Sequence, residues 1–480
     1  MLSGFNAVTS KKRCTSSMLK FETNLNKYES EMRDIIRLFI PFFAAELSIS
    51  AHFKDSVLTV CIDEKAYAHI LDCELKVFCK IALYRTLSEY LGVSLPWGSL
   101  TGIRPTKMLH KIMQSEKVSL SGAKKALEEK YLVSEQKAQF AADIIRVQEE
   151  ALLRYDLSDG INLYVHVPFC PSKCGYCSFV VVPIEKHRDL VKPYLDCLIK
   201  EILHAKEIIK AQGKRVLSVY IGGGTPTVLS AADLGSVLKA VRAAANIRDD
   251  NNIEFTVEAG RPDTFSPEKL QVLKNNRVTR VCINPQSFCD STLQSIGRSH
   301  SSFDVLAAFD MAKEYGFDIN TDLIAGLRNE SLQDFKESVK SAVALRPANI
   351  TVHTLSIKNG SDLFFKGREF NINTEAMVAF AETELAKNGY FPYYLYRQKN
   401  MSGNLHNTGF CLKDKECINN ITTMEELVSV LACGAGAISK LVAGPRIERL
   451  ANIRDVRLYI DGFDKLLEEK AKFFNSKIDC

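Results

Sequence analysis

Three cysteines stand close together in the run Tyr164-Val-His-Val-Pro-Phe-Cys-Pro-Ser-Lys-Cys-Gly-Tyr-Cys177, giving Cys170, Cys174 and Cys177 the spacing C-x3-C-x2-C. Thiolates are soft ligands that suit iron–sulfur clusters or zinc. A structural zinc site needs further ligands, usually a second Cys or His pair at similar spacing. Nearby His166 falls inside the strand-like run Asn162-Leu-Tyr-Val-His-Val167, and His187 follows a Val-Val-Val-Pro exit. A disulfide would leave one of the three unpaired. The pattern therefore favours a [4Fe–4S] cluster with one iron open to another ligand, over zinc. An open iron is the reason to expect radical chemistry driven by S-adenosylmethionine (SAM).

Such a loop needs a scaffold, and from residue 162 to about 390 the chain alternates β-rich runs with amphipathic stretches. Strands are predicted at 163–167, 216–221, 253–258, 280–284, 318–324 and 350–355, and helices at 194–211, 231–245, 267–275, 303–315, 332–345 and 374–388. Six βα units in succession predict an α/β fold: a parallel sheet with helices outside, closed or partly closed as a barrel. In such barrels reactive residues gather where the βα loops meet, at the C-terminal ends of the strands.

Polar residues fall at those ends. Gly222, Gly223 and Thr225 lie in Ile221-Gly-Gly-Gly-Thr-Pro-Thr227 after the second strand, where glycine lets backbone approach a ligand without a Cβ clash. Glu258 ends the third strand, Gln286 follows the fourth, Arg298 comes twelve residues later, and Asp322 sits near the end of the fifth. Singly, each reads as a turn, a helix cap or an ion-pair partner. Gathered at one mouth, they form the mixed acid, amide and cation set that a zwitterionic sulfonium with an adenosine body requires.

The flanks differ. A strand near 56–62 lies between helices near 25–39 and 71–91, and the turn-rich run Trp97-Gly-Ser-Leu-Thr-Gly-Ile-Arg-Pro-Thr-Lys107 leads to helices reaching about residue 154. The expected organisation is an accessory α+β domain over 1–155, a barrel over 156–390 and a mixed C-terminal segment over 391–480. The chain has 480 residues, 46% hydrophobic and 25% charged, with no apolar run of about 18 residues and hence no expected membrane span. No charged-then-apolar order marks the first 13 residues as a secretory signal. Fourteen scattered cysteines fit a reducing cytosol better than a disulfide framework. A net charge of +5 spread over mixed-sign faces does not support nucleic-acid binding.

The Tyr-x-His-x-Pro-Phe-Cys-x3-Cys-x2-Cys loop, Gly-Gly-Gly-Thr-Pro-Thr, Gln286-Ser-Phe288, Ile296-Gly-Arg-Ser-His300 and Asp322-Leu-Ile-Ala-Gly-Leu327 resemble the oxygen-independent coproporphyrinogen III dehydrogenase family of radical SAM enzymes. The Trp97–Lys107 run, Glu258-Ala-Gly-Arg-Pro-Asp263 and Tyr393-Tyr-Leu-Tyr-Arg-Gln-Lys-Asn-Met401 resemble one branch of it, so the likeness spans about residues 90–440. The resemblance implies a partial (β/α)6 barrel in which Cys170, Cys174 and Cys177 ligate the cluster. It implies that Gly222, Gly223, Thr225, Glu258, Gln286, Arg298 and Asp322 bind SAM. Tyr164 matches a tyrosine near the cluster and SAM, and Tyr176 an aromatic beside the adenosine end. The chain departs from the family pattern at Phe179, where many relatives carry a further cysteine, and at Gly326-Leu-Arg-Asn329, which usually reads Gly-Leu-Pro.

The implied reaction is oxidative decarboxylation of two propionates of coproporphyrinogen III to give protoporphyrinogen IX, with a flavodoxin- or ferredoxin-type one-electron donor. Four substrate carboxylates call for cations near the mouth. Arg261, Arg397, Lys399 and Arg446 are the candidates, each also readable as a surface charge. The alternative is a haem chaperone on the same barrel, with His406 as its most obvious haem ligand. A second metal site at Cys411, Cys417 and Cys433 has poor ligand spacing.

Overall fold

The computed structural model describes residues 19–43, 46–102, 104–251, 253–358, 361–362, 371–398, 401, 404–444 and 446–476. They form two compact units. The smaller runs through Ala142 and takes in Arg397, Gln398, Asn404 and Leu405. Its sheet has the order β1 (Leu19–Thr23), β2 (Leu47–Lys54), β3 (Val57–Ile62), β4 (Lys65–Ile70), with β1 parallel to β2 and the rest antiparallel. On β2 and β3, Leu47, Ile49, Ala51, Leu58, Val60 and Ile62 are buried in a core with Met32, Ile35, Ile36 and Phe39 of helix Glu29–Phe39. Helix Leu75–Leu91 adds Phe78, Ala82 and Leu83, then stops at Gly92, whose φ of 65° is the left-handed cap that glycine adopts without strain.

Arg397 belongs to this unit's interior and is not the substrate anchor expected of it. It is 5% exposed, its guanidinium lies 5.4 Å from the Trp97 ring centroid, and it donates to the carbonyls of Leu100 (2.8 Å), Asn404 (2.9 Å) and Leu405 (3.2 Å). A planar fork of donors stacked on an indole is a use to which arginine is suited and lysine is not.

The larger unit holds β5 (Gly160–Val167), β6 (Phe169–Cys170), β7 (Val182–Pro183), β8 (Arg215–Gly223), β9 (Glu254–Glu258), β10 (Arg280–Cys282), β11 (Asp318–Ala325), β12 (Asn349–Thr354), β13 (Phe391–Tyr396), β14 (Asn407–Cys411), β15 (Ser429–Cys433), β16 (Ile438–Ala443) and β17 (Arg446–Ala451). All except β6 and β7 join one eleven-stranded sheet, ordered β13-β14-β12-β11-β10-β9-β8-β5-β15-β16-β17. The six predicted strands are its parallel centre, β5-β8-β9-β10-β11-β12, in chain order as successive βα units require. This is the partial (β/α)6 barrel that the resemblance implied. The C-terminal segment, expected outside the barrel, joins its sheet: β15 pairs parallel to β5 as a seventh parallel strand, β14 pairs antiparallel to β12, and β13 pairs antiparallel to β14.

Strand register divides the residues between two faces. Leu163, Val165, Val167, Val219, Ile221, Phe255, Val257, Val281 and Ile319 pack into the core shared with the outer helices. The residues between them pair with one another across the sheet: Tyr164 with Tyr220, His166 with Gly222, Glu258 with Cys282, Cys282 with Asn320, and Asp322 with Thr351. Barrel strands usually read as continuous apolar runs. Here the inner face is polar, which marks it as a lumen built for a polar ligand.

The opposite end of the lumen is shut. Glu254 accepts from the N–H groups of Ile418 and Asn419 (3.0 Å each), at the start of helix Ile418–Met424. Asn162 donates to Thr422 and accepts from Ser218, at 2.8 Å each. Behind β15, Glu201 on helix Arg188–Ala211 accepts from Gly434 N–H (2.7 Å), Asn452 Nδ2 (2.8 Å), Tyr459 hydroxyl (2.6 Å) and Lys470 Nζ. Glu201 and Lys470 are both fully buried, so this pair holds the C-terminal helix Phe463–Asn475 to the barrel. Among the described residues no helix is long and apolar enough to cross a membrane.

Candidate active site

The cysteine loop leaves β5 and is held by the loop that follows β10. Gly175 N–H donates to Ile296 O (3.0 Å) and Ser172 Oγ to Gly297 O (3.3 Å). Arg298 is 7% exposed; its Nη2 donates to the Tyr176 hydroxyl (3.1 Å) and its Nη1 to the carbonyls of Gly260 (3.2 Å) and Asn284. Arg298 thus bolts Tyr176 to the ends of β9 and β10. Arg261, 2% exposed, grips Asp263 through two bonds (3.1 and 3.0 Å) and reaches Ser172 Oγ (3.1 Å) and Ser299 Oγ (2.9 Å). Its donors serve the loop and are not presented to a substrate, which corrects the expectation for it. Arg446 is an exposed partner of Glu448 at 2.6 Å, and Lys399 lies outside the described residues.

Cys170 and Cys174 are buried and Cys177 partly so, and none is in a disulfide. Cys170 Sγ lies 3.3 Å from Thr225 Oγ1, which joins the cysteine loop to the glycine turn. Burial pushes the Cys170 thiol up to about 12, with Cys177 and Cys174 near enough to add to the rise. Bound cations reverse that preference, because a coordinating thiol gives up its proton. Yet no group of three or more Cys, His, Asp or Glu side chains among the described residues is gathered for a single metal ion. Three free thiols on one loop, tied through Cys170 to the glycine turn, are the soft donor set that an iron–sulfur cluster would take.

The end of β8 and the turn after it pack so closely that a Cβ on any of the three glycines would clash. A Cβ on Gly222 would fall 2.8 Å from Glu258 Cδ, one on Gly223 2.6 Å from the His166 ring, and one on Gly224 2.4 Å from Phe169 O. Gly223 also has φ +109°, open only to glycine. Its N–H donates to Glu258 Oε2 (3.1 Å), while the Tyr220 hydroxyl donates to Oε1 (2.7 Å). Burial raises the Glu258 carboxyl to about 7, Tyr220 opposing the rise and Asp322 adding to it.

Gln286 carries strain. With φ +71° it is left-handed without being glycine; its N–H donates to Asp322 O and its carbonyl accepts from Ile324 N–H, both at 2.9 Å. Such outliers cluster at functional sites. Tyr164 stacks on Tyr220 (centroids 6.2 Å, 24°) and its hydroxyl lies 3.3 Å from His166 Nδ1. Burial lowers His166 to about 4, which keeps the ring neutral. Asp322 Oδ2 stands 3.4 Å from His353 Nε2.

The structure therefore brings the cysteine loop, the glycine turn, Glu258, Gln286, Arg298, Asp322, Tyr164 and Tyr176 to the C-terminal side of one sheet. Sequence reasoning missed Tyr220, His353 and the bracing role of Arg261. The signal for the first two was the polar alternation Ser218-x-Tyr220 and Thr351-x-His353 inside otherwise apolar strands. His406 is not an available haem ligand: it is 1% exposed, with Nε2 2.8 Å from Glu382 Oε1.

The radical SAM superfamily profile matches residues 164–342. Over 396 residues the chain is 37% identical to the oxygen-independent coproporphyrinogen-III oxidase-like protein HemZ of Bacillus subtilis (strain 168), covering 81% of this chain and 78% of that one. Against the heme chaperone HemW of the same organism it is 35% identical over 211 residues, 43% of this chain and 54% of that one. The solved Escherichia coli coproporphyrinogen III oxidase HemN, a radical SAM enzyme, superposes with a TM-score of 0.50 at 22% identity, covering 66% of this chain and 72% of that structure; this likeness is one of fold. A relative this similar along most of both sequences, with the cysteine loop at the mouth of the matching barrel, decides the family. The chain belongs to the radical SAM superfamily, among the oxygen-independent coproporphyrinogen-III oxidase-like proteins.

Proposed function

We propose that this chain is a cytoplasmic radical SAM oxidoreductase that converts coproporphyrinogen III to protoporphyrinogen IX. The observation that carries this reading is the extent of the HemZ likeness, 81% of the chain, against 43% for the haem chaperone of the same organism. In this reading Cys170, Cys174 and Cys177 hold the [4Fe–4S] cluster. Gly222, Gly223, Thr225, Glu258, Gln286 and Asp322 hold SAM, with Arg298 keeping Tyr176 against it and Tyr164 closing the cluster side. When bound, cluster and cofactor supply one-electron cleavage of a carbon–sulfur bond and hence hydrogen-atom abstraction. Each propionate then loses a hydrogen atom, carbon dioxide and one electron, the electron passing to an external one-electron acceptor, to leave a vinyl group. The protein's part is to fix the partners and exclude water. Glu258 offers a carboxylate for the amino group of SAM, and the glycine turn lets the backbone reach it. A flavodoxin- or ferredoxin-type protein supplies the electron.

A haem chaperone is the second reading, favoured by the HemW likeness within the barrel. The burial of His406 against Glu382 removes the haem ligand it would use first. Anaerobic incubation with reductant, SAM and coproporphyrinogen III separates the two. Protoporphyrinogen IX among the products supports the enzyme; stable haem binding without turnover overturns it. Deoxyadenosine with no porphyrin product points to another substrate. Cys174→Ala should abolish the brown cluster absorbance and SAM cleavage together, and full iron content in that variant would refute the ligand assignment.

A further inference from the structure

His353 is an ionisable side chain of the inner face to which the cofactor reading gives no task. His353 projects from β12 beside Asp322 of β11, since register sets Thr351 against Asp322 and Ile324 against His353. Its Nε2 stands 3.4 Å from Asp322 Oδ2, and its Nδ1 lies 3.4 Å from the Tyr396 hydroxyl on β13. Tyr396 is stacked on Tyr394 (6.4 Å, 5°), whose hydroxyl meets Thr351 Oγ1 at 3.1 Å. The side chains of His353 and Asp322 are 27% and 24% exposed, so both border open lumen.

Donor logic orients this line. The Nε2–Oδ2 distance is that of an ion pair and not of a closed hydrogen bond; since a carboxylate only accepts, the neutral ring that suits it carries its hydrogen on Nε2. Nδ1 is then an acceptor, and the Tyr396 hydroxyl donates to it. Carboxylate–histidine lines of this kind hold first-contact groups in one orientation. We propose that His353 is a positioning residue: it occupies Oδ2 of Asp322 and leaves Oδ1 aimed into the lumen for a hydroxyl or ammonium donor of SAM, while Tyr396 fixes the ring. This rests on the assignment of Asp322 to SAM. The other titratable groups facing the pair are Glu258, Tyr220, Cys282 and Tyr394, from β9, β8, β10 and β13.

The test uses cluster-reconstituted full-length protein and equilibrium dialysis against SAM. His353→Ala should weaken binding about tenfold with iron content unchanged, His353→Gln should restore part of it through its amide donor, and Tyr396→Phe should fall between Ala and wild type. In protein without cofactor, 15N-histidine spectra should show His353 as the Nε2–H tautomer, and as a mixture in Tyr396→Phe. Wild-type affinity in His353→Ala, or an Nδ1–H tautomer in the wild type, overturns the proposal. If the wild type itself bound no SAM, the cofactor reading would fall, and the tautomer would still decide whether the His353 line exists.

Discussion

Glu258→Gln isolates the energetics of the lumen. The Glu258 carboxyl titrates near 7 when folded, against 4.5 as an ordinary carboxyl, chiefly because burial disfavours its charge. A raised carboxyl makes the folded state the better proton binder. Its contribution to stability is therefore whole below pH 4.5, falls as pH rises towards 7, and is level above that. Linkage with these two values puts the loss at about 2.5 kcal/mol between pH 5 and pH 8. Glutamine does not titrate. It can still accept from Tyr220, but its NH2 faces the Gly223 N–H, a donor-on-donor contact costing about 1–3 kcal/mol at any pH. The wild type should thus lead the variant at pH 5, and that lead should shrink by about 2.5 kcal/mol at pH 8. Parallel urea titrations of cofactor-free, reduced protein, followed by far-UV circular dichroism, measure the difference; the lone Trp97 reports on the smaller unit and is the wrong probe. A difference that stays constant from pH 5 to pH 8 would show that the lumen is as wet as the surface, and would refute the burial argument.

Gly223→Ala should reduce SAM binding at least tenfold while iron content holds, because its Cβ would meet the His166 ring at 2.6 Å and its φ of +109° is strained for alanine, by about 1–3 kcal/mol. Equilibrium dialysis beside an iron assay checks both parts. Lys470→Met should cost the larger unit about 3–5 kcal/mol in urea, since it leaves the Glu201 carboxylate buried without its cation. Adding Glu201→Gln should recover a good part of that loss, and failure to recover any would mean the site needs charge. Arg397→Lys should destabilise the smaller unit by about 2 kcal/mol, seen as a lower urea midpoint by Trp97 fluorescence, because lysine can replace only part of the guanidinium's hydrogen bonds.

The fold was legible wherever a local signal and a tertiary demand coincide. Ser230, Ser266, Ser301 and Ser331 each accept an N–H at the start of a barrel helix, and those helices begin within a residue or so of where the sequence puts them. The candidate site was legible for a related reason: polar residues at strand ends break an apolar pattern. What stayed hidden is chemistry satisfied at a distance. Arg397 is met by carbonyls from residues about Trp97 and from its own turn, and His406 by Glu382. Neither partner announces itself in sequence. Likewise β15 pairs with a strand more than 250 residues earlier, a match set by sheet register and not by local propensity.

The same contrast explains why the lumen should be read as functional and not merely as structural. Tyr220, Glu258, Cys282, Asp322 and His353 occupy positions that Val, Ile or Leu would fill at lower free energy in a barrel meant only to be stable. At the closed end Glu254, Arg280, Asn162 and Ser218 bond one another or the helix that caps them, although Arg280 Nε and Asn349 Nδ2 are buried there without partners. Towards the mouth strain is added. Gln286 is left-handed, Asn284 Oδ1 and Arg298 Nε are buried without partners, and the glycine turn packs so closely on Glu258, His166 and Phe169 that no side chain fits there. Under the proposed function the strain at Gln286 and the unpartnered atoms of Asn284 and Arg298 are what SAM would complete, and that end is the one that carries the three thiols.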